Sequence, residues 1–138
     1  MGKINWGRVF LCGLLTGSVL IVLGLVVFVF ALGKTDFVAA VEAAGRPRFP
    51  TWLAAILNFA GGIWTMWLYA AIRPRYGPGP KTAAVAGLAL WVLAALVDAL
   101  LVHAHLILLP PRALLAPLAV SLPVIIVAAV VGAWPYQE

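Results

Sequence analysis

Asp98 is the one charged residue set well inside an apolar run of this 138-residue chain. On a helix rising 1.5 Å per residue it lies about 24 Å from Thr82 and about 17 Å from Leu109, near mid-bilayer. An ionised side chain there costs at least roughly 2.5 kcal/mol, so its carboxyl is expected to be protonated or well hydrogen-bonded. His105, seven residues on, shares its helix face. His103 points away, because alternate helical positions face nearly opposite sides. Antiparallel traversal brings Asn58 to the depth of His103 and Thr65 to that of Asp98, with Ser121 in the same half of the membrane. Asn58, Thr65, Asp98, His105 and Ser121 are thus a candidate proton- or ion-coupled path, or a pocket for a polar ligand. The competing reading makes Asp98 a neutral acid bonded to one neighbour and leaves both histidines near the headgroups. It is preferred, because a transporter usually needs more than one buried ionisable site.

Other chemistry has less to stand on. The sequence offers no second carboxylate inside a span, no nucleophile motif and no metal-ligand cluster, so no enzymatic activity is expected. His103-Ala104-His105 is poor spacing for two helical ligands to one metal. No cofactor is expected; a haem or chlorophyll contact through His103 or His105 has a single histidine behind it. Cys12 is the sole cysteine, makes no internal disulfide and reads as a small apolar filler.

Four long apolar stretches must position these residues, at about 8–32, 52–72, 82–109 and 113–134. Each supplies the roughly 20 residues that cross a bilayer as a helix. Lipid admits only helices and closed barrels, and barrel strands are about half this length. The expected fold is all-α, an integral membrane four-helix bundle forming one domain over 1–138. Composition agrees: 65% of residues are hydrophobic and 9% charged, and mean hydropathy is +1.13, against about a quarter charged in soluble domains. The net charge of +5 is scattered over termini and loops without a basic stripe, which excludes a nucleic-acid surface. The first apolar run is about 25 residues, longer than the core of a cleaved signal. Trp6 stands where myristoylation needs Ser or Thr. A retained first span is expected.

With the N-terminus inside, the inner segments hold Lys3, Arg8, Arg73, Arg75 and Lys81, and the outer ones Lys34, Arg46, Arg48 and Arg112. The margin, and its position close to helix ends, favours both termini in the cytoplasm. Trp6, Trp67, Tyr69, Tyr76, Trp134 and Tyr136 are expected to anchor the inner interface and Trp52 the outer one, while Trp64 and Trp91 pack between helices. Phe37–Ala44, capped by Thr35 or Asp36 and ended by Gly45, reads as a short helix (about 37–44) along the outer interface. Arg73 to Lys81, with three prolines and two glycines, is expected to form a rigid basic turn that cannot continue a helix. Its Arg73, Arg75 and Lys81 either bind anionic lipid or a partner, or simply fix topology. The second reading is preferred, because basic inner loops are so common. Pro110-Pro111-Arg112 closes a tight hairpin between spans three and four.

Small residues mark the packing faces. Gly13 and Gly17 form a GxxxG motif, and Gly61, Gly62 and Gly87 add further close-approach positions. Homo-oligomerisation, contact with another subunit and packing within the bundle are all open on this evidence. An internal echo pairs Arg8…Gly13-Leu14 with Lys81…Gly87-Leu88, and Trp67-Leu68-Tyr69 with Trp134-Pro135-Tyr136. It hints at two hairpins related about an axis along the membrane normal.

The Ile4-Asn5-Trp6-Gly7-Arg8-Val9 start, the Trp67 to Thr82 centre (WLYAAIRPRYGPGPKT) and the Gly132-Ala133-Trp134 end resemble a family of uncharacterised small bacterial four-helix inner-membrane proteins. The resemblance implies this fold and a bacterial inner membrane, and brings no activity or site residue with it. The expected function is that of a non-enzymatic, oligomeric or accessory subunit of a larger membrane complex, surrounded by lipid. The alternative is a small channel or transporter using Asp98.

Overall fold

The computed structural model describes residues 4–33, 38–39, 50–103 and 115–136, with residues 98–103 given by their backbone only. Four helices run antiparallel to their neighbours. Helix α1 spans Trp6–Val27 and continues through a π-helical turn, Phe28–Leu32. Helix α2 spans Thr51–Tyr76, α3 Pro80–His103 and α4 Leu115–Ala133. All four are long and apolar enough to cross a bilayer. The chain is a multi-pass membrane protein built as an all-α four-helix bundle. Of the expected interfacial helix 37–44, only Val38 and Ala39 are described, in helical conformation. The rest of that helix and the Pro110–Arg112 hairpin lie outside the described residues.

Local chemistry sets the helix ends. Asn5 caps α1, its side-chain oxygen accepting the Arg8 N–H at 3.2 Å, which satisfies one of the first-turn donors. Pro50 precedes α2 and its carbonyl accepts from Leu53 and Ala54. Pro80 opens α3 at the position where a missing N–H costs nothing. The end of α2 corrects the expectation that the basic connection cannot be helical, for the helix runs through Pro74 to Tyr76. Proline's φ suits a helix, and the bond it deletes and the carbonyl it crowds four residues back fall close to the helix end. The ladder resumes one turn later, where the Gly77 N–H donates to the Arg73 carbonyl at 2.8 Å. Gly77, at φ +82°, then ends the helix, and the Thr82 hydroxyl donates to its carbonyl at 2.7 Å.

In plan the helices form a square. Helix α1 packs on α2 and α4, α3 packs on the same two, and α2 meets α4 across the diagonal. Glycines set the closest approaches. A Cβ at Gly13 would stand 2.5 Å from the Ile63 Cα, and one at Gly17 2.8 Å from the Phe59 Cα. One at Gly62 would strike the Gly13 carbonyl and stand 2.6 Å from the Gly17 nitrogen. The Gly13–Gly17 face is thus occupied by α2 of the same chain. Gly132 repeats the device between α4 and α1, where a Cβ would overlap the buried Thr16 hydroxyl. Gly87, tight against Ile126 and Ala129, serves between α3 and α4. Gly61 meets Leu90 of α3 at ordinary contact distance. Small residues let backbones touch where lipid supplies no hydrophobic drive. Outside, Phe10, Leu11, Leu25, Leu57, Leu96 and Val127 are exposed, as a lipid-facing surface requires.

Gly24 has no atom within 4 Å of its position for a Cβ. Gly24→Leu is therefore expected to leave the thermal midpoint in detergent unchanged. Gly62→Leu is expected to lose at least about 1–3 kcal/mol through overpacking, read as a lower midpoint and yield. Equal stability of both variants would contradict the α1–α2 contact.

Candidate functional site

Among the described residues, the polar side chains within the spans are largely closed on their own helices. The buried Thr65 hydroxyl donates to the Gly61 carbonyl at 2.8 Å, and Thr16 donates to Cys12 at 2.9 Å. Asn58 Nδ2 donates to the Ala54 carbonyl at 2.8 Å. Ser and Thr return to the carbonyl four residues back because it is the nearest acceptor when water is absent. Ser121 is paired differently. Trp91 Nε1 from α3 donates to the Leu118 carbonyl at 3.0 Å and to Ser121 Oγ at 3.2 Å, while Ser121 donates to Leu118 at 3.0 Å. These donors gather in the turn before Pro123, whose missing N–H weakens the helix there. Trp91 thus packs between helices, as its depth suggested, and Trp64 is half-buried.

The structure does not join Asn58, Thr65 and Ser121 into one cluster; each has its own partner. The side chains of Asp98 and His103, and the whole of His105, lie outside the described residues. Among the described residues, no three His, Cys, Asp or Glu side chains gather as a metal site would need.

A different set of residues makes a shaped concavity. Where α2 ends, α3 begins and α4 ends, a cavity of about 400 Å³ is lined by Tyr69, Arg73, Gly79, Val130, Trp134 and Tyr136 among others. Tyr69 and Tyr136, only 2% and 4% exposed, meet edge to face with centroids 5.7 Å apart. The Arg73 guanidinium lies 5.5 Å from the Tyr136 centroid, a cation–π contact, and its Nη1 is buried. The Gly79 N–H donates to the Tyr69 oxygen at 3.3 Å, which ties the α2–α3 turn to the cavity wall. Gly79 sits at φ +134°, a conformation that favours glycine.

Arg73 is therefore a cavity residue, while Arg75 and Lys81 are exposed beside it. The reading of Tyr69 and Tyr136 as interface anchors is corrected, for both turn inward. Trp6, Trp52, Tyr76 and Trp134 are exposed as an aromatic belt requires. The Trp-x-Tyr echo is the sequence signal of the Tyr69–Tyr136 contact. Equivalent residues of two repeats meet where the repeats face each other, and Tyr69 meets Tyr136 across the α2–α4 diagonal. Comparison with protein-family models, curated proteins and solved structures finds no match.

Trp91→Phe removes one donor from the Leu118–Ser121 pair but keeps an aromatic ring. It is expected to cost about 0.6 kcal/mol, the mean for hydrogen bonds between membrane helices, measured by denaturant titration in micelles. Trp91→Ala is expected to cost several times more, because the ring's packing goes as well.

Proposed function

We propose that this chain is a non-enzymatic accessory protein of the bacterial inner membrane. In this reading it works as an oligomer or beside another membrane subunit, and meets lipid or partner through its basic end. The observation that carries the reading is where the polar groups go. Within the spans, Thr16, Asn58 and Thr65 are spent on carbonyls of their own helices and Ser121 on Trp91 and Leu118. A shaped concavity, mostly apolar but holding Arg73, Tyr69 and Tyr136, lies instead at the end of the bundle. A conduction path needs polar groups turned toward one another along its length. The resemblance to small bacterial four-helix inner-membrane proteins supports the same location.

The basic end carries Arg8, Arg73, Arg75 and Lys81 and is assigned to the cytoplasm, with both termini. Arg75 is exposed, which makes it a suitable labelling position. In a Cys12→Ala background, Arg75→Cys is expected to resist an impermeant thiol reagent in intact cells and Arg46→Cys to react. Periplasmic labelling of Arg75→Cys would reverse the orientation.

The transport alternative is tested at Asp98. Asp98→Asn keeps size and hydrogen-bonding capacity while removing the proton chemistry, so assembly and any co-purifying partner are expected to survive. A pH-dependent flux in proteoliposomes, abolished by Asp98→Asn, would overturn the accessory reading.

A further inference from the structure

We propose that the cavity at the basic end seats the glycerol-ester region of a phospholipid, with the Tyr69 hydroxyl donating to an ester carbonyl. The proposal rests on the reading that this end meets lipid, and adds which part of the lipid is held. Tyr69 and Gly79 both line the cavity, and the Gly79 N–H donates to Tyr69 Oη at 3.3 Å. A phenol oxygen accepts hydrogen bonds and also donates its one proton. With the oxygen engaged by Gly79, that proton has no acceptor among the described residues. Tyr69 is only 2% exposed, and a buried donor is costly to leave unmet. A ligand that brings a carbonyl into the cavity supplies the missing acceptor. Arg73 is engaged with the Tyr136 ring, and the seat asks no contact of it.

Walls and depth select the ligand. Pro78, Pro80, Val130 and Ala133 make most of the lining apolar, which suits the first methylenes of an acyl chain better than a free anion. The volume, about 400 Å³, falls within the usual range for small-molecule sites. Tyr69 lies seven residues before the end of α2 at Tyr76, about 10 Å deeper along the helix. Its hydroxyl reaches back to the turn at Gly79, so the proton is held between the turn and the apolar body of the bundle. The interfacial layer of a bilayer is roughly 5–7 Å thick on each side, and the esters of a glycerolipid lie where that layer meets the hydrocarbon. Trp134, 85% exposed at the cavity rim, marks the same level.

The test uses full-length protein in neutral detergent and native mass spectrometry, comparing diester phosphatidylglycerol with its diether analogue of equal chain length. The ether lipid keeps headgroup and chains but lacks the carbonyls. Wild type is expected to retain the diester about threefold better, the fold-change of a typical hydrogen bond inside a membrane. Phosphatidylcholine is expected to show the same ratio, because the hydroxyl reads the linkage and not the headgroup. Tyr69→Phe keeps the ring contact with Tyr136 and should bring both ratios to about one. Val130→Phe narrows the cavity and leaves the hydroxyl. It should lower diester retention severalfold, which reads the site even if Tyr69→Phe fails to fold. Equal retention of diester and diether by wild type would overturn the proposal. So would an ester preference that survives Tyr69→Phe, or one confined to phosphatidylglycerol, which points to the headgroup instead. Displacement of the diester by an equimolar free fatty acid would overturn it in favour of a fatty-acid site. The two readings fail separately: the seat falls on these ratios, and the accessory reading on a flux abolished by Asp98→Asn.

Discussion

The contact between α1 and α2 at Gly13, Gly17 and Gly62 is the constraint on which the rest of the bundle depends. In lipid, burying one leucine against another gains little over burying it against acyl chains, so dispersion at close range holds helices together. That gain grows as backbones approach, and only hydrogen in place of a side chain permits the approach seen here. The contact also sets register. With Gly13 opposite Ile63 and Gly17 opposite Phe59, the start of α1 lies beside the end of α2. The other face of α1 then offers Cys12 and Thr16 to Gly132 of α4. One glycine-lined seam thereby fixes two helix pairs, and α3 closes the square through Gly61–Leu90 and Gly87–Ala129.

That arrangement gives the internal echo a structural meaning. Gly13 and Gly87 occupy matching places in the two hairpins, and each is pressed against the second helix of its own hairpin. Thr16 and Leu90, one turn further along, each meet a glycine of a neighbouring helix, Gly132 and Gly61. Tyr69 and Tyr136 meet each other, as equivalent residues on a twofold axis would. The symmetry breaks at the basic end. Arg73 projects over the Tyr136 ring, and the α2–α3 turn is tied to Tyr69. The concavity belongs to the place where the two halves differ.

How much of this was legible depended on which physical quantity each residue obeys. The four spans follow from the energy of unpaired backbone in hydrocarbon, which sums over some twenty residues and tolerates local error. Their ends depend on single caps. Arg73-Pro74-Arg75 reads as a helix breaker, yet the helix passes through it and resumes its ladder at Gly77, so the disruption stays within the last turn. Depth was readable from the rise per residue, whereas azimuth was not. Ser121 and Trp91 share a depth and an azimuth, and the long reach of an indole decides their pairing. Thr65 is satisfied within its own helix, so a common depth with other polar residues says nothing of a shared site. Tyr69 and Tyr136 sit at headgroup level, where sequence alone favours a belt, and only the crossing of α2 and α4 turns them inward.

Among the described residues, these pairings set the interior of the bundle apart from its end. A hydroxyl bonded to the carbonyl four residues back is nearly cost-free in lipid, and its proton is then not available to another acceptor, although its lone pairs remain. Recruiting it would mean breaking a bond with no water to replace the lost partner. At headgroup level the balance reverses. There water and phosphate compete for every donor, so an arginine can exchange partners at little cost. How firmly its orientation is held is then a matter of packing. The Tyr136 ring supplies that rigidity for Arg73, and the Tyr69–Tyr136 contact holds the ring itself. That contact exists because α2 and α4 approach across the diagonal. The glycine seam deep in the membrane and the arginine at its surface are in this way parts of one mechanical chain.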